Sequence, residues 1–174
     1  MNQAEELRDK PHSGELAELL GERPVREFLS EHYLRLPYSN VGGCRGWQRF
    51  GNWESLDSLF AAEGIDGLVV RRGARSEAPF PRSSAEAQAL TAEGCTVLVR
   101  HAERHNLELA RAAEALAREL GGAVNVHIYA TPAEQFGFGW HYDAEEVFIL
   151  QTTGRKEYRL RKNTVHPWPL EETL

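Results

Sequence analysis

Cysteine is scarce in this 174-residue chain: Cys44 and Cys95 are its only two. They are too few for a disulfide scaffold and too far apart for a zinc knuckle. No uninterrupted apolar stretch approaches the ~20 residues that a bilayer-spanning helix requires. Positive charge is not in excess either, since 20 Lys and Arg stand against 26 Asp and Glu, for a net charge of −6 and a pI near 5.7. That balance argues against a general binder of phosphate backbones or anionic membranes. The opening residues, MNQAEELRDK, are polar and acidic where a secretion leader has a basic start and an apolar segment. A protein of the reducing cytoplasm is expected, with no membrane and no direct nucleic-acid partner.

What is present is the composition of a folded domain, 41% apolar and 26% charged, with no internal repeat or low-complexity run. Leu16, Leu19, Leu20 and then Val25, Phe28, Leu29 recur three to four apart, which predicts two short helices between Glu15 and about Leu36. Glycines and Pro37 between Pro37 and Asn52 predict a surface loop, followed by a helix over Ser55 to Ala62. Strands are expected at Leu68 to Arg72 and Thr96 to Arg100, with a helix around Ala85 to Leu90 between them. The strongest helix signal opens after Asn106, carries Leu109, Ala113, Leu116, Ala117 and Leu120 as a stripe, and stops at Gly121 and Gly122.

Beyond Gly122 helical spacing gives way to alternation. Val124, Val126 and Ile128 alternate with Asn125, His127 and Tyr129, placing the three polar side chains on one face of a strand. Val147 to Gln151 reads as a second strand, Thr152 to Gly154 as a tight turn, and Lys156 to Arg161 as a third strand. The division is thus 1–122, mainly helical with short strands, and 123–174, the start of a β-rich core.

The chemistry concentrates between Phe136 and Lys156. His141 and Asp143 are two apart, so on an extended strand an imidazole and a carboxylate face the same way and can share one hard-to-borderline metal ion. A bare H-x-D pair is also a common surface hydrogen-bonding couple. In its setting, NVHIYATPAEQFGFGWHYDAEEVFILQTTGRKEYRL, it resembles the cupin-type JmjC oxygenases, the group that contains the ribosomal-protein hydroxylases and their bacterial relatives. Tyr129, Thr131-Pro132, Gly137-Phe138, His141-Tyr142-Asp143, and the stretch from Phe148 to Lys156 with Gln151 and Gly154 carry the likeness. The strand and helix before them, and FLSEHYLRLPYSN, are similar to the same family.

The resemblance implies an α+β fold in which N-terminal helices precede part of a double-stranded β-helix (jelly-roll), with the late barrel strands missing. It implies Fe(II), held by His141 and Asp143, and 2-oxoglutarate as cosubstrate. Lys156, fifteen residues after His141, would take the distal carboxylate of 2-oxoglutarate, assisted by the Tyr129 hydroxyl. It implies hydroxylation of a protein or peptide side chain, a ribosomal one among the candidates. The family's third ligand is a distal histidine; here His166 is the sole histidine after Asp143, within TVHPWP, whose prolines favour an irregular segment. His127 stands where asparagine is expected, as a third nitrogen near the metal, a hydrogen bonder to cosubstrate, or a satisfied core histidine. The short β-region fits a fragment of a longer oxygenase, two chains pairing as a homodimer to complete a site, or a non-catalytic binding module.

Other features read as structural. His101 and His105 with Glu103 between them form a polar strand-to-helix turn more readily than a metal site, and Cys44 is a small packing residue. Arg71, Arg72 and Arg75 make a short basic cluster that reads as a solvated loop or a contact for an acidic substrate. Trp140 is expected to pack, whereas Tyr129 and Phe138 suit a pocket wall.

Overall fold

The computed structural model describes residues 14–135, 138, 140, 141, 143 and 145–160. Helices α1 (Glu15–Leu20) and α2 (Val25–Glu31) bury Leu16, Leu19, Leu20, Val25 and Phe28, the apolar positions that their spacing singled out. Between them Gly21 turns the chain at φ 61°, a value that L side chains rarely adopt. Helix α3 (Trp53–Phe60) starts where the Asn52 side chain accepts the Ser55 N–H at 2.8 Å. Helix α4 (Ser84–Ala92) starts in the same way on Ser83, whose hydroxyl accepts the Glu86 N–H at 3.2 Å. Helix α5 (Leu107–Leu120) is capped by Asn106, which accepts the Leu109 N–H at 2.9 Å, and ends at Gly121 in the left-handed region.

Four strands form one antiparallel sheet in the order β2-β1-β3-β4: β1 (Asp66–Arg71), β2 (Ala74–Arg75), β3 (Thr96–Arg100) and β4 (Ile128–Ala130). The fold is therefore mixed α and β. Thr96 to Val99 are buried on both sides of β3, as a central strand covered on two faces requires. Gly67 of β1 lets the Phe80 ring lie directly against the strand. The core gathers Leu16, Phe28, Trp47, Leu59, Phe60, Val97, Val99, Leu109 and Leu116, with Val124, Val126, Ile128 and Leu150 packed on it from the later part of the chain.

Three expectations change. The loop between Pro37 and Asn52 contains a 3₁₀ helix (Arg45–Phe50) whose Trp47 and Phe50 are buried, because aromatics three apart share one side of a three-residue turn. Residues 124–127 alternate inward and outward as expected, but ladder pairing begins only at Ile128. Residues 147–151 and 156–160 are not strands: no described residue lies alongside to complete a ladder, and Val147, Phe148, Ile149, Tyr158 and Leu160 stay exposed. The turn at Gly154 is present, with φ 74°.

Candidate active site

The alternation of residues 124–130 builds the site. Its inward residues anchor the segment on the core, which leaves Asn125, His127 and Tyr129 on the outer face. The Phe138 ring meets Tyr129 edge-on, with centroids 6.2 Å apart, and on its other side meets His141 at 5.8 Å. Tyr129, Phe138 and His141 thus form a continuous chain of rings. Trp140 is 55% exposed.

Lys156 closes the other side of Tyr129. Its Nζ lies 5.7 Å from the centre of the Tyr129 ring and 5.4 Å from that of Tyr158, so the ammonium sits between two π faces. Burial lowers the Lys156 pKa below the ordinary lysine value. Burial also raises the Tyr129 pKa, and the Asp143 carboxylate adds to that rise, which puts Asp143 within electrostatic reach of the Tyr129 hydroxyl. Lys156 forms no ion pair among the described residues, so a partly desolvated cation lacks a protein counterion. Tyr158 was not read from the sequence as a site residue; an aromatic two after the cation, on the same side of an extended chain, was the available signal.

Next to this group lies a polar cluster at the end of the sheet. His127 meets His101 edge-on at 5.5 Å, and His101 Nδ1 is 3.5 Å from Glu103. Partial desolvation of its ring first, and the His101 ring second, lower the His127 pKa, although the residue as a whole is exposed. His127 is an exposed residue of the outer face, so the reading of it as a core histidine is corrected; the alternating burial turns its position outward. The turn after β3 is a polar 3₁₀ turn (Ala102–Arg104), and His101 enters it at φ 52°. Glu103 accepts the Val126 N–H at 2.9 Å, which ties the turn to the segment that bears His127 and leads into β4.

His141 and Asp143 lie outside the four strands, so the shared strand face expected for them is not formed. Their donor chemistry, one imidazole and one carboxylate, suits a borderline-hard cation. Among the described residues no group of three His, Cys, Asp or Glu side chains is placed to hold one. Gly137, Tyr142 and His166 lie outside the described residues. Lys156, which forms no ion pair among the described residues, is a cation suited to an anionic group, and the Tyr129 and Tyr158 rings lie near it. Cys44 is half-buried, and its Sγ donates to the Gln151 carbonyl at 3.1 Å.

Residues 99–173 match the JmjC domain family model. Over this stretch the chain is similar to the JmjC cupin-type, ribosomal-oxygenase-like proteins. It is 40% identical over 70 residues to the bifunctional lysine-specific demethylase and histidyl-hydroxylase NO66 of Dictyostelium discoideum, a match covering 40% of this chain and 14% of that protein. It is 43% identical over 70 residues to ribosomal oxygenase 2 of Rattus norvegicus, covering 40% of this chain and 15% of the relative. A longer match, 24% identical over 158 residues and 83% of this chain, is to NO66 of Drosophila pseudoobscura pseudoobscura, of which it covers 16%. The chain therefore spans about a sixth or less of the length of these relatives.

Proposed function

We propose that the chain is, or is part of, an Fe(II)- and 2-oxoglutarate-dependent oxygenase that hydroxylates a protein or peptide side chain. The observation that carries this reading is the meeting of Lys156, Tyr129, Phe138 and His141 in one contact chain, with Asp143 in electrostatic range, inside the JmjC match. In this reading Lys156 and the Tyr129 hydroxyl hold the distal carboxylate of 2-oxoglutarate, and His141 and Asp143 hold iron. Iron supplies dioxygen activation when bound. The wall of Tyr129 and Phe138 excludes water from one side of the cosubstrate, and partial burial strengthens the pairing of Lys156 with its anion. Relatives named as a ribosomal oxygenase and as a lysine-specific demethylase and histidyl-hydroxylase support a protein substrate. The cytoplasm, the division at residue 122 and a partial jelly-roll for residues 123–174 belong to the same proposal.

The alternative is a non-catalytic cupin-like binding module, favoured by the lack of a three-residue metal-binding group among the described residues. Anaerobic titration of the chain with Fe(II) and 2-oxoglutarate separates the two. An oxygenase site gives a metal-to-ligand charge-transfer band that needs both components and disappears in His141→Ala. A folded protein with no band supports the binding module. Recording the oligomeric state on the same sample tests pairing of two chains.

A further inference from the structure

The hairpin joining β1 to β2 lies at the sheet edge away from Tyr129 and Lys156. Between Leu68 and Ser83 the chain carries four arginines, Arg71, Arg72, Arg75 and Arg82, and a single carboxylate, Glu77, although the protein as a whole is acidic. Arg71, Arg72 and Arg75 are exposed, and among the described residues none of them forms an ion pair. Of the other described arginines, Arg23, Arg49, Arg100, Arg104, Arg118 and Arg159 have carboxylate partners, whereas Arg26, Arg35, Arg45, Arg82, Arg111 and Arg155 form no ion pair among the described residues.

A second observation is conformational. The turn is Arg72-Gly73, with φ of 52° and 79°. Two positive values mark a primed hairpin turn, whose first position favours Asn, Asp or Gly. Placing arginine there costs conformational energy, and such strain in a non-glycine residue collects at functional positions.

The register tells what the tip can hold. Arg71 pairs with Ala74, and Arg75 with Val70, so Arg71 and Arg75 lie on opposite faces of the ribbon, with Arg72 between them at the tip. Ser76 donates its N–H to the Val69 carbonyl, so the alternation turns the Arg75 backbone groups outward, along an edge that no described strand covers. A chain laid along that edge in extended form sends successive side chains to alternate faces.

We propose that the Arg71–Arg75 hairpin is a docking edge for an extended acidic peptide with consecutive Asp or Glu residues. Adjacent carboxylates reach Arg71 on one face and Arg75 on the other, and Arg72 closes on the peptide at the tip. The net charge of −6 repels a long polyanion, which favours a short acidic segment of a protein over RNA.

The test is fluorescence anisotropy with the full chain and three labelled probes: a peptide of about ten residues with consecutive glutamates, a second with the same glutamates at every other position, and a single-stranded RNA of similar charge. The expected result is tightest binding of the consecutive-glutamate peptide, weakening as salt rises. Arg72→Asn creates the favoured Asn-Gly turn, so it should unfold at higher urea than the parent while binding about threefold more weakly; adding Arg71→Gln and Arg75→Gln should bring the loss to about tenfold. Tighter binding of the RNA, equal binding of the two peptides, or unchanged affinity in the triple variant overturns the proposal.

Discussion

The ammonium of Lys156 lies over two aromatic rings, 5.7 Å from the centre of Tyr129 and 5.4 Å from that of Tyr158. Two aromatic rings thus neighbour a charge that forms no ion pair among the described residues. If the site takes 2-oxoglutarate, Lys156→Ala should weaken its binding about a hundredfold, the usual range for truncating one member of a desolvated charge pair. Tyr158→Leu should weaken it about fivefold, for a lost cation–π contact of ~1 kcal/mol, and Tyr158→Phe should restore it. Calorimetric titration of the three variants checks the order; equal losses in Phe and Leu would show that the hydroxyl, not the ring, matters.

The lowered Lys156 pKa sets a pH dependence for the same binding. Anion pairing needs the protonated amine, so affinity should hold at neutral pH and fall as pH rises through the folded-state pKa, before the ordinary lysine value of 10.5 is reached. Dissociation constants measured across the alkaline range test this. A fall that starts only above that value would show that Lys156 is as solvated as a surface lysine.

His127 predicts a second pH effect, on stability. Its folded-state pKa is lowered from 6.5 by burial and by His101, so below 6.5 the unfolded chain binds the proton more readily. The associated stability is complete above that value and is lost as pH falls toward the lowered folded-state pKa. His127→Gln should flatten the urea midpoint across this window; an unchanged slope would assign the dependence to other groups.

Two substitutions probe the scaffold. Leu109 of α5 is 1% exposed, and Leu109→Ala should cost ~2–5 kcal/mol through lost burial and the cavity left behind. Asn106→Ala, which removes the cap of the same helix, should cost ~1 kcal/mol. Urea denaturation of both variants would show the ranking.

Gly67→Ala places a methyl group into the Phe80 ring across β1. Overpacking of this kind costs ~1–3 kcal/mol. Pairing it with Phe80→Leu should recover part of the loss, which a thermal scan of the single and double variants would measure.

Local signals made much of this fold legible. β3 occupies Thr96–Arg100 as expected, and Asn106 and Gly121 bound α5 because capping is chemistry between near neighbours. The 3₁₀ helix was hidden by the glycines around Trp47 and Phe50, whose burial depends on packing with distant helices. The strand pattern at 147–151 was read from side chains alone, but a strand exists only with a paired neighbour. At the site, the neighbourhood of Tyr129 and Phe138 was legible, and Lys156 lies near the Tyr129 ring. Tyr158 and the His101–His127 contact were not, since each depends on how segments remote in sequence meet.

The contact between Gly51 and Thr152 bears on where Lys156 can go. Gly51 ends the 3₁₀ helix, and its missing side chain leaves the space that Thr152 fills, while Thr153 donates its hydroxyl to the Gly51 carbonyl at 3.4 Å. With Cys44 holding the Gln151 carbonyl alongside, the glycine-rich loop is a fulcrum for the segment that swings Lys156 over Tyr129. The loop touches neither ring, yet its shape sets the reach of the cation, so selectivity for the length of an anionic ligand could be tuned from residues 44 to 51 without altering a single group that contacts it.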